Sequence, residues 1–241
     1  MSLRVDLTPD PPYGEGIAVL EDVLRATTSI GMLLETGARE VWATRSTRGA
    51  CERARQGDLL LREKEDWMPE GFHHGTSPTA LERIDVHGRR VFCTSGHLPA
   101  ALESVNRNAD VWLASLRNAP AVVERLDAEA PSQAALVCAG FRRAEALDDA
   151  LATGLIVRAL AARDGSFALG NAARLSASLP VANPNPLEAL ATSASGRFLQ
   201  GMGFEADLVT ASRVGADRTV PVQQGSERSR TGLLYRFVAA P

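Results

Sequence analysis

The chain reads as short apolar runs alternating with longer amphipathic stretches. Residues 17–20, Ile-Ala-Val-Leu, form a continuous apolar run of the kind that a strand buried on both faces requires. Glu21 and Asp22 end that run. Apolar Leu24, Ile30, Leu33 and Leu34 then predict a helix over 23–36, stopped by Gly37. The pairing recurs: 40–44 predicts a strand and 46–56 a helix, with Ser46 as its cap and Gly57 just past its end. Further strands are expected at 59–61, 90–93, 111–114 and 134–138, and further helices near 99–105, over 119–128 and over 144–162. Residues 64–79 and 180–187, punctuated by Pro, Gly or Asn, predict loops. A helix is expected from Leu187, with Gly201 and Gly203 near its end. The tail, 219–222 and 233–238, reads as two strands around a polar turn.

Strands alternating with helices predict an α/β fold, three layers α/β/α, with a mostly parallel sheet and a small antiparallel C-terminal edge. No linker signal divides the 241 residues, so a single domain over 1–241 is expected, without internal repeats. At 45% hydrophobic and 23% charged residues the composition is that of a globular protein. A net charge of −3, with no long Lys/Arg block, argues against nucleic acid as a partner. Apolar runs are broken well before the roughly 18 residues of a membrane span, and residues 1–12 lack the apolar stretch of a signal peptide. No membrane partner and a cytoplasmic location are therefore expected; homo-oligomer formation is left open. Cys51, Cys93 and Cys138 are far apart and lack zinc or redox spacing. Cys51 is expected to be a small buried hydrophobe, whereas Cys93 and Cys138 end predicted strands, where chemistry is sought.

In an open α/β sheet ligands bind beyond the carboxyl ends of strands. The residues that follow the predicted strands are Glu21, Asp22, Arg25, Thr27 and Thr28; Arg62, Glu63 and Lys64; Thr94, Ser95, Gly96 and His97; and Ala139 and Gly140, with Asp148 and Asp149 near the next helix start. Carboxylates suit a hard cation such as magnesium. An arginine with small hydroxyl and glycine turns at helix starts suits an anion. Together they fit metal-assisted phosphoryl chemistry. Each element also has a plain alternative. Asp22 is a helix cap, Arg25 a solvated charge, Thr94-Ser95-Gly96 an ordinary turn, His73 and His74 exposed loop residues, and Asp148 and Asp149 partners of a helix dipole. Several chemistries are excluded. There is no Walker loop and no Gly-x-Ser-x-Gly elbow. Pro99 stands where a cysteine-phosphatase loop starting at Cys93 needs arginine, and Leu24 breaks an Asp-x-Asp motif at Asp22.

Asp22-Val23-Leu24-Arg25-Ala26-Thr27-Thr28 resembles the Asp-Val-Leu-Arg-Ala-(Ser/Thr)-Thr signature of the 2-phosphosulfolactate phosphatases. Other blocks resemble that family in order: Glu63, Gly71-Phe72 and Gly75-x-Ser77-Pro78; Thr94-Ser95-Gly96; Cys138-Ala139-Gly140; Leu147-Asp148-Asp149 with Gly154; Ser195-Gly196-Arg197; Gly203-Phe204-x-x-Asp207; and Val220-Pro221-Val222. The resemblance implies magnesium-dependent hydrolysis of (2R)-2-phospho-3-sulfolactate, a small anionic substrate, to 3-sulfolactate and phosphate, a step of coenzyme M synthesis. On this reading Asp22, Glu63, His73 and His97 are the candidate catalytic residues, and Asp22 and Asp149 the candidate metal ligands. Arg25, Thr27, Thr28, Thr94, Ser95, Gly96, Cys138 and Gly140 are the candidate anion-binding residues. The chain departs from the family pattern in having His73 for Asp, Thr76 for Asn, Arg62-Glu63-Lys64 for Gly-Glu-Arg and Leu98 for Arg. These changes keep open an alternative: a catalytically impaired relative that binds an anionic metabolite. A third reading is an unrelated transferase that uses the same crevice.

Overall fold

The computed structural model describes residues 1–10, 16–63, 68–105, 109–163 and 169–240. Among these, the strands are β1 (Ser2–Asp6), β2 (Ile17–Glu21), β3 (Glu40–Thr44), β4 (Leu59–Arg62), β5 (His74–Gly75), β6 (Arg90–Thr94), β7 (Asp110–Ala114), β8 (Gln133–Cys138), β9 (Pro221–Ser229) and β10 (Gly232–Ala239). They form one sheet in the order β1-β8-β2-β7-β9-β10-β3-β6-β4-β5. The helices are α1 (Ala26–Glu35), α2 (Thr47–Arg53), α3 (Pro78–Leu81), α4 (His97–Ser104), α5 (Ala119–Glu129), α6 (Leu147–Arg163), α7 (Asn171–Ala182), α8 (Pro186–Thr192), α9 (Ala194–Gly201) and α10 (Glu205–Ala211). The predicted α/β class and mostly parallel sheet are present, and most predicted strands and helices match to within a few residues. Ser46 caps α2 as expected, its hydroxyl accepting the Gly49 N–H.

The antiparallel part built by the C-terminal strands is present too, but it lies between two parallel halves rather than at an outer border. β1, β8, β2 and β7 pair in parallel, as do β3, β6, β4 and β5. The β9–β10 hairpin joins the halves through three antiparallel pairings. The two halves therefore run in opposite senses along the sheet. Five steps separate β2 from β6, and at the usual 20–25° per step they accumulate about 100–125° of twist. The register shift between Tyr235 and Phe237 adds to it. This coiling is what allows the carboxyl ends of both halves to face a common space.

Strand alternation sets the layers. Ala18, Leu20, Val41, Ala43 and Phe237 pack against α1 and α4 on one face. Ile17, Val19 and Leu136 pack against α5, α6 and α7 on the other, where Trp42, Leu60 and Phe92 pack against α2. A further cluster covers the strand ends: Val23, Leu24 and Leu116 meet Leu190, Leu199 and Leu208 from α8, α9 and α10.

Two expectations are corrected, and one strand was not expected. Residues 180–187 are not one loop, because α7 continues through Pro180 and α8 begins at Pro186. Pro186 stands at the first helical position, where its missing N–H costs nothing. The polar N-terminus contributes β1, paired along β8. Cys51 is exposed, not a buried hydrophobe, because it faces outward on the short α2.

Candidate active site

The turn after β2 is the centre of the site. The Asp22 N–H donates to Thr27 Oγ1 (3.2 Å), the Thr27 N–H to the Asp22 carbonyl (2.9 Å), and the Thr28 hydroxyl to the Val23 carbonyl (2.8 Å). Both threonines thus shape the turn; Thr27 accepts there and keeps its own proton to donate. The turn is tied to the next strand by Asp149, whose Oδ1 accepts the Val23 N–H (2.8 Å) and whose Oδ2 accepts the Gly140 N–H beyond β8 (3.0 Å). The neighbouring Asp148 faces Ser195, Ser193 and the Leu24 N–H. From the other half of the sheet comes Glu63, whose Oε2 accepts the Gly96 N–H (3.0 Å) at the start of α4. The Leu98 N–H of α4 and the Ala26 N–H of α1 are directed at Asp22. Asp22, Glu63, Gly96, Asp149 and Gly140 therefore surround one space, with two helix N-termini over it.

Burial defines the electrostatics. Asp22, Asp148 and Asp149 are all under 5% exposed. Burial, then Glu63 and Asp148, raises the carboxyl pKa of Asp22 well above the ordinary carboxylate range. Burial, then Asp148 and Asp22, does the same to Asp149. Asp148 is pushed up to about 6, chiefly by burial, with the Ser195 hydroxyl among the groups that moderate it. Glu21, fully buried at the end of β2, is raised well above the ordinary carboxylate range, chiefly by burial. Among the described residues, Asp22 Oδ2, Asp148 Oδ1 and both oxygens of Glu21 have no hydrogen-bond partner. Buried acids that crowd each other with oxygens to spare either hold protons or gather a cation.

The one arginine of the signature is already engaged. Arg25 Nη1 donates to Asp207 Oδ2 (3.0 Å), Nη2 donates to the Glu63 carbonyl (3.0 Å), and the guanidinium lies 4.6 Å from the centre of the Phe204 ring. Ser77 Oγ donates to Asp207 Oδ1 (2.5 Å). Four residues from three separate blocks of the sequence, Arg25, Ser77, and Phe204 with Asp207, form one knot. Its first effect is to fix the Glu63 backbone beside the β2 turn.

Several candidates are placed elsewhere. His73 is exposed, and its Nδ1 accepts the Leu60 N–H (3.1 Å) beside the sheet border. That contact caps the strand rather than joining the acids. Cys138 is fully buried, its Sγ 3.4 Å from Thr153 Oγ1, and burial with Glu21 and Asp149 raises its thiol pKa. A neutral thiol among carboxylates is a poor anion receptor. Thr94 is turned back to the Leu61 carbonyl (3.3 Å), while the Ser95 N–H donates to the Thr44 carbonyl (3.1 Å). His97 is half-buried, its ring 5.7 Å from that of Phe141. Leu98 is fully buried in the core, so the backbone at that position, not the side chain, reaches the site. Lys64 lies outside the described residues. Asp148 and Asp207 were missed as site residues. Asp148 had a signal in its place beside Asp149, and Asp207 in its motif.

Both oxygens of Asp149 already accept backbone N–H groups, so among the three aspartates the spare oxygens belong to Asp22 and Asp148. Among the described residues no three His, Cys, Asp or Glu side chains form a ready metal cage. Magnesium suits such a site, because it commonly takes one or two carboxylates and fills its remaining positions with water and phosphate oxygens.

Acids and helix N-termini gathered at the strand ends of an α/β sheet define a class of protein that handles small anionic ligands. Within that class the chain belongs to the 2-phosphosulpholactate phosphatase family, which it matches over residues 3–226. A probable 2-phosphosulfolactate phosphatase of Deinococcus radiodurans is 37% identical over 242 aligned positions, covering 99% of this chain and 100% of that protein. Proteins with the same description from Thermus thermophilus and Thermotoga maritima are 33% and 30% identical, covering 93% and 90% of this chain and 95% and 93% of theirs. Among the described residues no helix is long and apolar enough to cross a membrane.

Proposed function

We propose that the chain hydrolyses a small phosphorylated acid, 2-phosphosulfolactate, to sulfolactate and phosphate, with magnesium. The observation that carries this reading is the pair of buried carboxylates with unpartnered oxygens, Asp22 beneath the N-termini of α1 and α4 and Asp148 beside that of α9. Asp22 and Asp148 would hold the metal, which when bound neutralises phosphate charge and lowers the pKa of a coordinated water. Asp149 holds the β2 and β8 turns in register. The helix N-termini and the Thr27 hydroxyl orient the phosphate oxygens. Glu63, aligned by the Gly96 N–H, accepts the proton of the attacking water, and His97 at the mouth returns one to the leaving oxygen. The relatives' names support the substrate, and the exposed thiol of Cys51 suits a reducing, cytoplasmic setting.

The altered positions weigh little against activity. His73 caps a strand, Leu98 fills the core, and the Thr76 carbonyl accepts the Ser29 hydroxyl (2.7 Å). The test is phosphate release from 2-phosphosulfolactate with and without magnesium. Release that depends on magnesium is expected; none under either condition would overturn the reading.

Stability is expected to depend on pH. The folded pKa of Asp148, about 6, lies above its ordinary 3.8. Its protonated form is therefore favoured by folding. That contribution is complete below 3.8 and is lost as pH rises through 6. Asp22 and Asp149 shift in the same direction. The Tm of metal-free protein is expected to fall between pH 5 and 8, and magnesium to raise Tm more at pH 8 than at pH 5. Thermal melts at both values check this; an equal magnesium shift at both would contradict it.

A further inference from the structure

The three elements that supply the acids with hydrogen bonds also build a rim of aromatic and cationic groups above them. Gly140, whose N–H bonds Asp149, is followed by Phe141. His97 stands between Gly96 and Leu98, whose N–H groups face Glu63 and Asp22. Phe198 lies about one turn beyond Ser195 in α9, and the Ser195 hydroxyl faces Asp148. The Phe141 ring is 5.7 Å from His97 and 5.8 Å from Phe198. The Arg142 guanidinium lies over both phenylalanines, 5.1 Å from each ring centre.

The backbone beneath Arg142 is unusual. Phe141 and Ala144 exchange both hydrogen bonds (2.9 and 3.0 Å), and Arg142 and Arg143 between them have φ of 52° and 67°. Two consecutive positive φ values in a two-residue hairpin are the mark of a type I′ turn, which favours Asn-Gly or Gly-Gly. Each non-glycine residue there costs roughly 1–2 kcal/mol. The turn also requires Gly140, since a Cβ at that position would lie 2.6 Å from the Ala144 carbonyl. Two arginines thus occupy positions that turn chemistry disfavours, at the lip of the site. Both are exposed, and among the described residues neither has a carboxylate partner.

We propose that Arg142 is the receptor for the second acidic group of the substrate, the carboxylate or sulfonate of a phosphorylated acid whose phosphate lies over the acids. This rests on the phosphatase reading above. Stacking on Phe141 and Phe198 holds the guanidinium plane and leaves its N–H edge free to pair with an oxyanion, the use to which arginine is better suited than lysine. Arg142 is a specificity residue. It selects which phosphoester is held, while the acids below carry out the hydrolysis.

The test compares 2-phosphosulfolactate, 2-phospholactate and isopropyl phosphate, which carry two, one and no acidic groups besides the phosphate. Arg142→Gln is expected to lower the kcat/KM preference for 2-phosphosulfolactate over isopropyl phosphate by roughly 10- to 100-fold, mainly through KM, as for loss of a charged hydrogen bond. If the preference for 2-phospholactate falls equally, the group held is the carboxylate; if it does not fall, the group is the sulfonate. Arg143→Gln is expected to change the preference less than 3-fold, and an effect equal to that of Arg142→Gln would overturn the assignment. Because substitution here also alters the turn, the double variant Arg142→Asn, Arg143→Gly supplies a sequence the turn prefers. It is expected to keep or raise Tm while losing the preference as Arg142→Gln does. Wild-type preference in that variant would show that only turn shape matters and would sink the proposal. If the wild-type protein hydrolyses none of the three, the phosphatase reading fails by itself, and calorimetric binding of 3-sulfolactate decides the subsite. A 10- to 100-fold rise in Kd in Arg142→Gln upholds it, and an unchanged Kd overturns it.

Discussion

Asp22→Asn is expected to cut phosphate release by roughly 10³-fold while raising the Tm of the metal-free protein. The two effects have one cause. Asp22 is 4% exposed and crowded by Glu63 and Asp148, and burial disfavours its charged form. Folding therefore works against the ionised carboxylate, and a neutral amide of the same shape relieves that opposition. The same charge is what would hold the metal through the unpartnered Oδ2. An ordinary structural acid behaves in the opposite way, because its loss lowers stability. The signature to measure is lower kcat, higher Tm without magnesium, and a smaller magnesium-induced shift in Tm. A variant with unimpaired turnover would remove Asp22 from the chemistry.

Asp207→Ala is expected to destabilise the protein by about 3–5 kcal/mol, the range for a buried pair that loses one partner. At 2–4 °C per kcal/mol for a chain of this size, Tm falls by roughly 6–20 °C. Arg25 and Asp207 are 4% and 1% exposed at 3.0 Å, so the abandoned guanidinium has no water to replace its partner. Ser77 Oγ loses its acceptor as well. Replacing both members of the pair, Arg25→Met with Asp207→Leu, is expected to recover most of the stability, since a buried ion pair is commonly no more stabilising than apolar groups of like volume. It is not expected to restore activity, because Arg25 also donates to the Glu63 carbonyl and so sets where that carboxylate stands. Double-mutant melts with parallel activity assays separate the two roles. Equal stability of Asp207→Ala and wild type would contradict the buried knot.

The apolar runs at 17–20, 40–44, 59–61, 90–93, 111–114 and 134–138 were legible as strands because each is buried on both faces, so local sequence and tertiary environment agree. Ser2–Asp6 was not legible, because its charged residues form a strand only by pairing along β8. The helix through Pro180 was hidden for a similar reason. Its Gly154–Ser176 packing, where a Cβ on Gly154 would lie 2.1 Å from the Ser176 carbonyl, overrides the local signal.

The candidate site divides along the same line. Asp22, Glu63, Gly96, Gly140 and Asp149 stood out because strand ends are where backbone N–H groups and acidic side chains are exposed to a ligand, and motif spacing marks those ends. His73 and Cys138 carried the same kind of signal, yet one caps Leu60 and the other packs against Thr153. Side-chain direction is a property of packing, not of spacing.

By itself the sequence determined the α/β alternation, the strand ends that carry the candidate site and the family to which the chain belongs, because each is written in local patterns of apolar and polar residues. Only the tertiary structure decided that the C-terminal hairpin joins two opposed half-sheets and coils their carboxyl ends together. It also decided that Arg25 answers to Asp207, and that Asp148 rather than Asp149 keeps a free oxygen. Those outcomes depend on which distant groups compete for the same hydrogen bonds, and that competition exists only once the chain has closed around them.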